Sequence, residues 1–145
     1  MQNNRRVLLL SAAAAAALLF GCAAPGREAS PEFINTADPR LATELVSPDA
    51  VFHVPGRDEP VHGPQGYLEI IGMMRGGFPD IQWILEETVI EGDVIAARFT
   101  MHGTHRGSFF GVPPTGKTIA VQALNIYRLS TGKIVSEVGN RTCLD

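Results

Sequence analysis

The segment 111–118, GVPPTGKT, matches the P-loop pattern G-x-x-x-x-G-K-[ST] at every specified position. A P-loop binds the phosphates of ATP or GTP with successive backbone N–H groups, between a buried strand and the N-terminus of a helix. The match therefore raises the hypothesis of a nucleotide site. For that hypothesis to hold, the segment must supply backbone N–H groups and a helix must follow it.

Two prolines in the segment count against nucleotide binding. Pro113 and Pro114 each remove a backbone N–H that would hold phosphate. The residues after Lys117, TIAVQALNIYRL, are rich in β-branched side chains and alternate, so they predict a strand where the motif requires a helix. We interpret the match as accidental and expect no nucleotide ligand.

Four histidines invite a comparison with metal sites. His102 and His105 flank a Gly-Thr pair, whereas His53 and His62 flank a loop rich in proline and glycine. Neither pair has the i, i+4 spacing of a helical metal motif or a neighbouring cysteine. The sequence therefore predicts no metal ion, and His105 is interpreted as bracing its loop.

The N-terminus has the pattern of an export signal. Arg5 and Arg6 precede an uncharged apolar run that ends at Phe20 and is shorter than the about 20 residues of a spanning helix. The run ends in Leu-Phe-Gly-Cys, which resembles a bacterial lipobox. We predict a signal peptide over 1–21, lipid attachment at Cys22, a flexible tether over 22–32 and one domain over 33–145.

The predicted location is the bacterial cell envelope, with the domain lipid-anchored and facing the periplasm, on the outer membrane if one is present. The alternative is an ordinary secretory signal that leaves Cys22 as a thiol. The formal net charge of −3 gives no basic surface, so the sequence predicts no nucleic-acid partner. The second cysteine, Cys143, has no predicted disulfide partner.

Hydrophobic periodicity predicts helices first and strands afterwards. Ile34, Leu41 and Leu45 share one helical stripe that ends near Ser47 and Pro48. A second helix is predicted over 63–78. Strands are predicted over 51–54, 80–90, 93–102, 117–129 and 133–138. This order is typical of an α+β domain with an antiparallel sheet.

Several short motifs occur in order between residues 50 and 137 and carry a family resemblance. They are His62-Gly63-Pro64 with Gly66, Phe78-Pro79-Asp80, Glu91-Gly92-Asp93, Gly103-Thr104-His105, the stretch from Phe109 to Gly116, and Tyr127-Arg128. Together they closely resemble the SnoaL-like polyketide cyclase (ester cyclase) family, which has the fold of nuclear transport factor two. The resemblance implies a curved antiparallel sheet whose concave face is closed by helices into a cone around an apolar pocket.

The resemblance also implies a chemistry, ring closure by an intramolecular aldol reaction without metal or cofactor. Such a reaction needs a base and a hydrogen-bond donor to the enolate. The resemblance places a histidine where this chain has Asn125, and an aspartate acid/base where it has Gly139, beside Asn140. Asn125 retains a donor, but Gly139 cannot move a proton. These departures predict a pocket that binds ligand with little turnover unless another group is the base.

Three residues are candidates for the missing chemistry. By resemblance His53 approaches the pocket, and an imidazole suits proton transfer near neutral pH. Glu137 shares a strand face with Gly139 under strict alternation. Arg98, which shares a face with Thr100 and His102, would steady an enolate. The alternatives are a structural imidazole, a solvated or paired carboxylate and an ion pair, respectively.

Further residues are assigned to a ligand pocket and to an interface. The predicted pocket residues are Tyr67, Ile71, Met74, Trp83, Phe99 and Asn140, although the apolar ones also suit an ordinary core. Ala120, Leu124 and Ile126 would lie on the outer face of the sheet, which predicts a homodimer through that face.

Three functions remain open from the sequence. The first is a cofactor-independent cyclase or isomerase-like enzyme acting on a small hydrophobic carbonyl compound. The second is a lipid-tethered pocket that binds such a ligand without changing it. The third is a protein-interaction module that uses the sheet face.

Overall fold

The computed structural model describes residues 31–141, with side chains described through Gly139. The predicted signal peptide, Cys22, most of the predicted tether and the side chain of Asn140 lie outside the described residues. The first helix, α1, spans Pro31–Thr36 and so begins two residues before the predicted domain boundary.

Two short helices form where the sequence predicted a single helical stripe from Ile34 to Leu45. After α1, helix α2 spans Pro39–Leu45. Between them Ala37 has a φ of 51°, in the left-handed region, which interrupts the helix. The Asp38 carboxylate accepts a hydrogen bond from the Arg40 backbone N–H at 2.8 Å, and Pro39 occupies the first turn of α2. This capping explains why the chain restarts a helix here.

The first strand, β1, spans Val46–Phe52 and begins earlier than predicted. A two-residue strand, β2 at Val61–His62, follows, and helix α3 at Gly63–Gly77 has the bounds that its periodicity predicts within one residue. Pro48 lies inside β1 and has no N–H to donate. The pairing of β1 changes register across that part of the strand.

Four long strands complete one six-stranded sheet. They are β3 at Gln82–Glu91, β4 at Val94–Thr104, β5 at Thr118–Ser130 and β6 at Lys133–Arg141. The strand order is β2-β1-β6-β5-β4-β3. All pairs are antiparallel except β1 with β6, which run parallel, so the sheet is mixed. The domain is α+β, as the sequence predicts, but the parallel pair departs from the fully antiparallel sheet that was expected.

The two faces of this sheet differ in burial. On β4, Ile95, Ala97, Phe99 and Met101 are buried, and their neighbours in sequence point to the opposite side. We call the buried side the inner face, because it packs into the same core as residues of α1, α2 and α3. The opposite side is called the outer face.

The loop between β4 and β5 contains the P-loop-like segment. Lys117 leads directly into strand β5, so the helix that nucleotide binding requires is not there. The His105 ring is buried, stacks on Phe78 with centroids 5.1 Å apart, and lies 3.1 Å from the Thr115 hydroxyl through Nδ1. His105 therefore braces this loop, as its sequence context indicated.

The helices of the described chain are short relative to a bilayer. Among residues 31–141, no helix combines the length and apolar character that a membrane span requires.

Candidate active site

A cavity of about 330 Å³ lies between helix α3 and the inner face of the sheet. Tyr67, Ile71 and Met74 face it because their spacing places them on one side of α3. Phe99 and Met101 line it from β4, and this follows from the alternation of the strand. The cavity is therefore walled mainly by apolar side chains. The remaining apolar lining includes Ile34, Phe52, Ile70, Trp83 and Ala123.

One wall of the cavity is polar and is built by two paired strands. Asn125 and Tyr127 are alternate residues of β5 and share its inner face. They lie opposite Gly139 and Glu137 of β6, respectively. The Tyr67 hydroxyl comes from α3 to the same place. We call Tyr67, Asn125, Tyr127 and Glu137 the polar patch.

The members of the polar patch are connected by hydrogen bonds. The Asn125 amide Nδ2 donates to the Tyr127 hydroxyl over 3.1 Å. The Tyr67 hydroxyl faces both the Tyr127 hydroxyl and the Glu137 carboxylate, and its interaction with each raises the pKa of Tyr67. Each phenol has one proton, and an ionised carboxylate only accepts. Tyr67 is therefore a donor within the patch, toward Glu137 or Tyr127, and the Tyr127 hydroxyl accepts from Asn125.

Both phenols in the chain are held in their neutral form. Burial raises the pKa of Tyr67 well above its ordinary value, and the negative charge of Glu137 adds to the rise. Burial also raises the pKa of Tyr127, again with Glu137 adding to it, while hydrogen bonds with Asn125 and Tyr67 oppose the change in part. A phenolate beside a carboxylate in a desolvated site is unfavourable. The two tyrosines therefore act as hydrogen-bond donors at any pH near neutrality.

Gly139 leaves a gap in the polar wall. A β-carbon at this position would stand 3.0 Å from Asn125 Oδ1 and 3.9 Å from Glu137 Oε1. The space that a side chain at 139 would fill is thus bordered by an amide oxygen and a carboxylate oxygen.

The structure brings together most of the residues that the sequence predicted for the site. His53 lies just after β1, is exposed, and lines the cavity together with Val54 and Pro55. Asn125 and Glu137 line the cavity as well. The predicted pocket residues Tyr67, Ile71, Met74, Trp83 and Phe99 all contribute to its walls.

Arg98 is placed elsewhere, which corrects its assignment to the site. Its guanidinium lies on the outer face, 3.5 Å from the Glu87 carboxylate. The strand alternation that places Phe99 in the cavity necessarily places Arg98 outside it. Arg98 therefore forms a surface ion pair and does not reach a ligand in the cavity.

Tyr127 is the main site residue that the sequence analysis missed. Its side chain is fully buried and connects Asn125 to Tyr67. The signal was present in the sequence, because a residue two positions from Asn125 on a strand shares its face. Among residues 31–141, no group of three His, Cys, Asp or Glu side chains is arranged to hold a metal ion.

Known proteins that are similar to this chain include cyclases. The profile of the SnoaL-like polyketide cyclase family matches residues 27–140. Nogalonic acid methyl ester cyclase of Streptomyces nogalater is 31% identical over 74 residues, which cover 50% of this chain and 54% of that protein. Aklanonic acid methyl ester cyclase of Streptomyces peucetius is 27% identical over 93 residues, covering 63% and 61%. The chain thus spans little more than half the length of these curated relatives.

Solved structures show the same relationship. Wild-type IdmH of Streptomyces antibioticus is 32% identical and superimposes with a TM-score of 0.65, covering 77% of this chain and 86% of that one. TsrD of Streptomyces laurentii has a TM-score of 0.68 at 23% identity, covering 77% and 81%, and is similar in fold. The family match, the cyclase relatives and the shared architecture together show that this chain belongs to the SnoaL-like polyketide cyclase family.

Proposed function

We propose that this protein is a cofactor-independent ester cyclase, which closes a ring by an intramolecular aldol reaction in a small hydrophobic carbonyl compound. The observation that carries the proposal is the make-up of the cavity, in which apolar walls surround a patch with a carboxylate, an amide and two neutral phenols. An apolar enclosure with a few convergent polar groups is typical of a small-molecule site. Two relatives whose names state a methyl ester cyclase activity support the same chemistry.

The cavity indicates what kind of substrate would fit. Its volume of about 330 Å³ lies at the lower end of the roughly 300–1,000 Å³ of small-molecule sites, so the substrate would be compact. Within the described chain, its lining includes the carboxylate of Glu137 but no lysine or arginine. A free carboxylic acid would meet a like charge there, so a neutral ester is favoured.

Binding and turnover can be measured separately, because Trp83 is the only tryptophan and lines the cavity. The probe is an aromatic methyl ester with a side-chain ketone placed for closure of a six-membered ring. We expect saturable quenching of Trp83 fluorescence and formation of the cyclised product by chromatography. Ala123→Leu, which narrows the cavity, should weaken quenching, whereas Ala120→Leu on the exposed outer face should not.

The same experiment distinguishes the alternative function. The family resemblance places an aspartate acid/base where this chain has Gly139, which cannot move a proton. This difference favours a pocket that binds its ligand without catalysis. Saturable quenching without ring closure, and without exchange of the α-proton for deuterium, would support that ligand-binding module. Absence of saturable quenching would contradict both functions.

We further propose that the domain is held at a bacterial membrane by lipid on Cys22. The support is the sequence pattern around Cys22, with the basic and apolar run before it. The nine residues from 22 to 30 extend at most about 32 Å, so the cavity would stay near the bilayer in which apolar compounds collect. We propose that the mature protein contacts the membrane through this lipid alone.

A homodimer through the outer face is part of this proposal. Val89, Ala96, Ile126 and Val138 occupy one row across four strands because each pairs with the next in register. Val138 is 67% exposed and Val89 is 59% exposed, which is unfavourable for β-branched apolar side chains. A second copy of the chain would cover this row symmetrically.

A further inference from the structure

We propose that the Glu137 carboxylate takes the proton from the substrate, at the gap that Gly139 leaves in the polar wall. This inference rests on the ester cyclase function proposed above. It assigns the catalytic base to a specific side chain and gives the neighbouring glycine a role in substrate approach.

The first observation is that the gap at Gly139 opens onto the Glu137 carboxylate. Gly139 and Glu137 are alternate residues of β6 and share its inner face. Glu137 Oε1 stands 3.9 Å from the point where a β-carbon at 139 would be. Gly139 does not have a positive φ, so backbone conformation does not require a glycine there. Its effect on the site is that no side chain crowds Asn125 or covers the carboxylate.

The second observation is that polar groups surround the carboxylate. The Tyr67 hydroxyl interacts with Glu137 and with the Tyr127 hydroxyl, which accepts a hydrogen bond from Asn125. The two phenols are buried and neutral, so they fix the carboxylate without competing for its role as a base. Tyr67 and Tyr127 are therefore positioning residues. Among the described residues that line the cavity, Glu137 is the one carboxylate.

The third observation is that the Asn125 amide lies across the gap. Asn125 is opposite Gly139, and its side-chain oxygen, an acceptor, borders the gap at 3.0 Å from the β-carbon position. One of its two amide hydrogens is used by Tyr127, so the other is the donor that remains for a substrate carbonyl oxygen in the cavity, away from the gap.

These groups account for a complete aldol step. The Glu137 carboxylate removes a proton from the carbon α to a carbonyl, and the C–H electron pair becomes the enolate double bond. Charge moves to the carbonyl oxygen, which accepts a hydrogen bond from Asn125. The α-carbon then bonds to a second carbonyl carbon of the same molecule, and the resulting alkoxide takes the proton from the Glu137 carboxylic acid. No oxidant, reductant or metal is consumed.

The test compares matched variants with the methyl ester probe and Trp83 fluorescence. Glu137→Gln should lower kcat by about 10²-fold or more, as expected for loss of a general base, while saturable quenching remains. Glu87→Gln makes the same chemical change on the outer face and should leave kcat at the parental value. Gly139→Ala should lower kcat at least about tenfold, because its β-carbon fills the approach to the carboxylate.

The outcomes separate this inference from the function on which it rests. If the parent closes the ring and Glu137→Gln does so at a similar rate, Glu137 is not the base, although the cyclase function stands. If the parent binds the probe but never closes the ring or exchanges the α-proton, the proposed function fails, and this inference fails with it. Thermal melting monitors folding of each variant. Should Glu137→Gln unfold, unchanged turnover in a folded Gly139→Ala would itself overturn the assignment.

Discussion

The Tyr67 hydroxyl on α3 faces the Glu137 carboxylate on β6, and this interaction joins the helix to the sheet at the polar end of the cavity. Tyr67 also belongs to the apolar stripe of its helix, where its ring stacks on Phe33 with centroids 5.1 Å apart. The packing of α3 thereby determines where the carboxylate lies. Removal of a single oxygen atom from Tyr67 should separate the packing role from the polar one.

Tyr67→Phe should keep the ring packing and release the carboxylate. Loss of a donated hydrogen bond favours the protonated carboxyl, so the acid limb of the pH–rate profile should move to higher pH, with lower kcat and little change in KM. The buried polar groups that face the Tyr67 hydroxyl lose a partner, so the free energy of unfolding should fall by about 1–3 kcal/mol. The His53 imidazole lines the same cavity, so it must be considered when the pH–rate profile is interpreted.

Tyr127→Phe is the matched control for that shift. It removes a buried hydroxyl from the same chain but leaves the contact between Tyr67 and Glu137. We expect a comparable loss of stability with an acid limb close to that of the parent. Equal displacement of the acid limb in both variants would indicate a general loosening of the site.

Gly139→Asp should lower turnover in the parent. Its β-carbon would press on Asn125 at 3.0 Å, and its carboxylate would lie beside that of Glu137. Two carboxylates that share a site cannot both ionise freely, so one would hold a proton. Steady-state kinetics with the methyl ester probe measures the change.

The double variant Glu137→Gln with Gly139→Asp should recover part of the activity that Glu137→Gln loses, because a single carboxylate is again present at the gap. Higher turnover from Gly139→Asp alone than from the parent would mean that the natural chain lacks its base.

Ile126→Glu should split the proposed homodimer. Ile126 lies in the row of outer-face residues between Ala96 and Val138, so a glutamate would place an uncompensated charge in the interface. Sedimentation of a chain starting at Ser30 tests the assembly, and Val112→Glu, exposed on the loop between β4 and β5, is the control. A parent protein that is monomeric at tens of micromolar (order of magnitude for a weak interface) would rule the dimer out.

Cys22→Ser tests the membrane proposal. Without lipid, the apolar run that ends at Phe20 is too short for a stable span, so the protein should accumulate as precursor or in soluble form. Fractionation and the mobility of the product on a gel measure this. Retention of a mature-sized Cys22→Ser protein in the membrane would contradict lipid attachment.

Local periodicity was sufficient to predict much of this fold. The bounds of α3 and of β3 to β5 follow within two residues from spacing that recurs within a few residues, whereas β6 extends three residues beyond its predicted end. The break at Ala37 was missed although Asp38 and Pro39 are a typical start of a helix. The parallel pairing of β1 with β6 joins distant segments, and no local pattern encodes such a pairing.

The site was predictable to the extent that it follows strand alternation. Applied consistently, that rule would have excluded Arg98, because Phe99 was already assigned to the pocket, and would have added Tyr127 beside Asn125. The contact between Tyr67 and Glu137 could not be predicted from strand alternation. That contact depends on how closely α3 approaches the sheet, which side-chain packing across the whole core determines.

The position of β6 has a consequence for the order in which the chain can fold. This strand is late in the chain but central in the sheet, and it is the neighbour that β1 needs besides β2. As synthesis proceeds from the N-terminus, β1 has only the two-residue strand β2 as a partner until residues 133–141 have emerged, and such distant pairing is slow. A ribosome stalled before Lys133 would therefore present β3, β4 and β5 without the strand that joins them to β1.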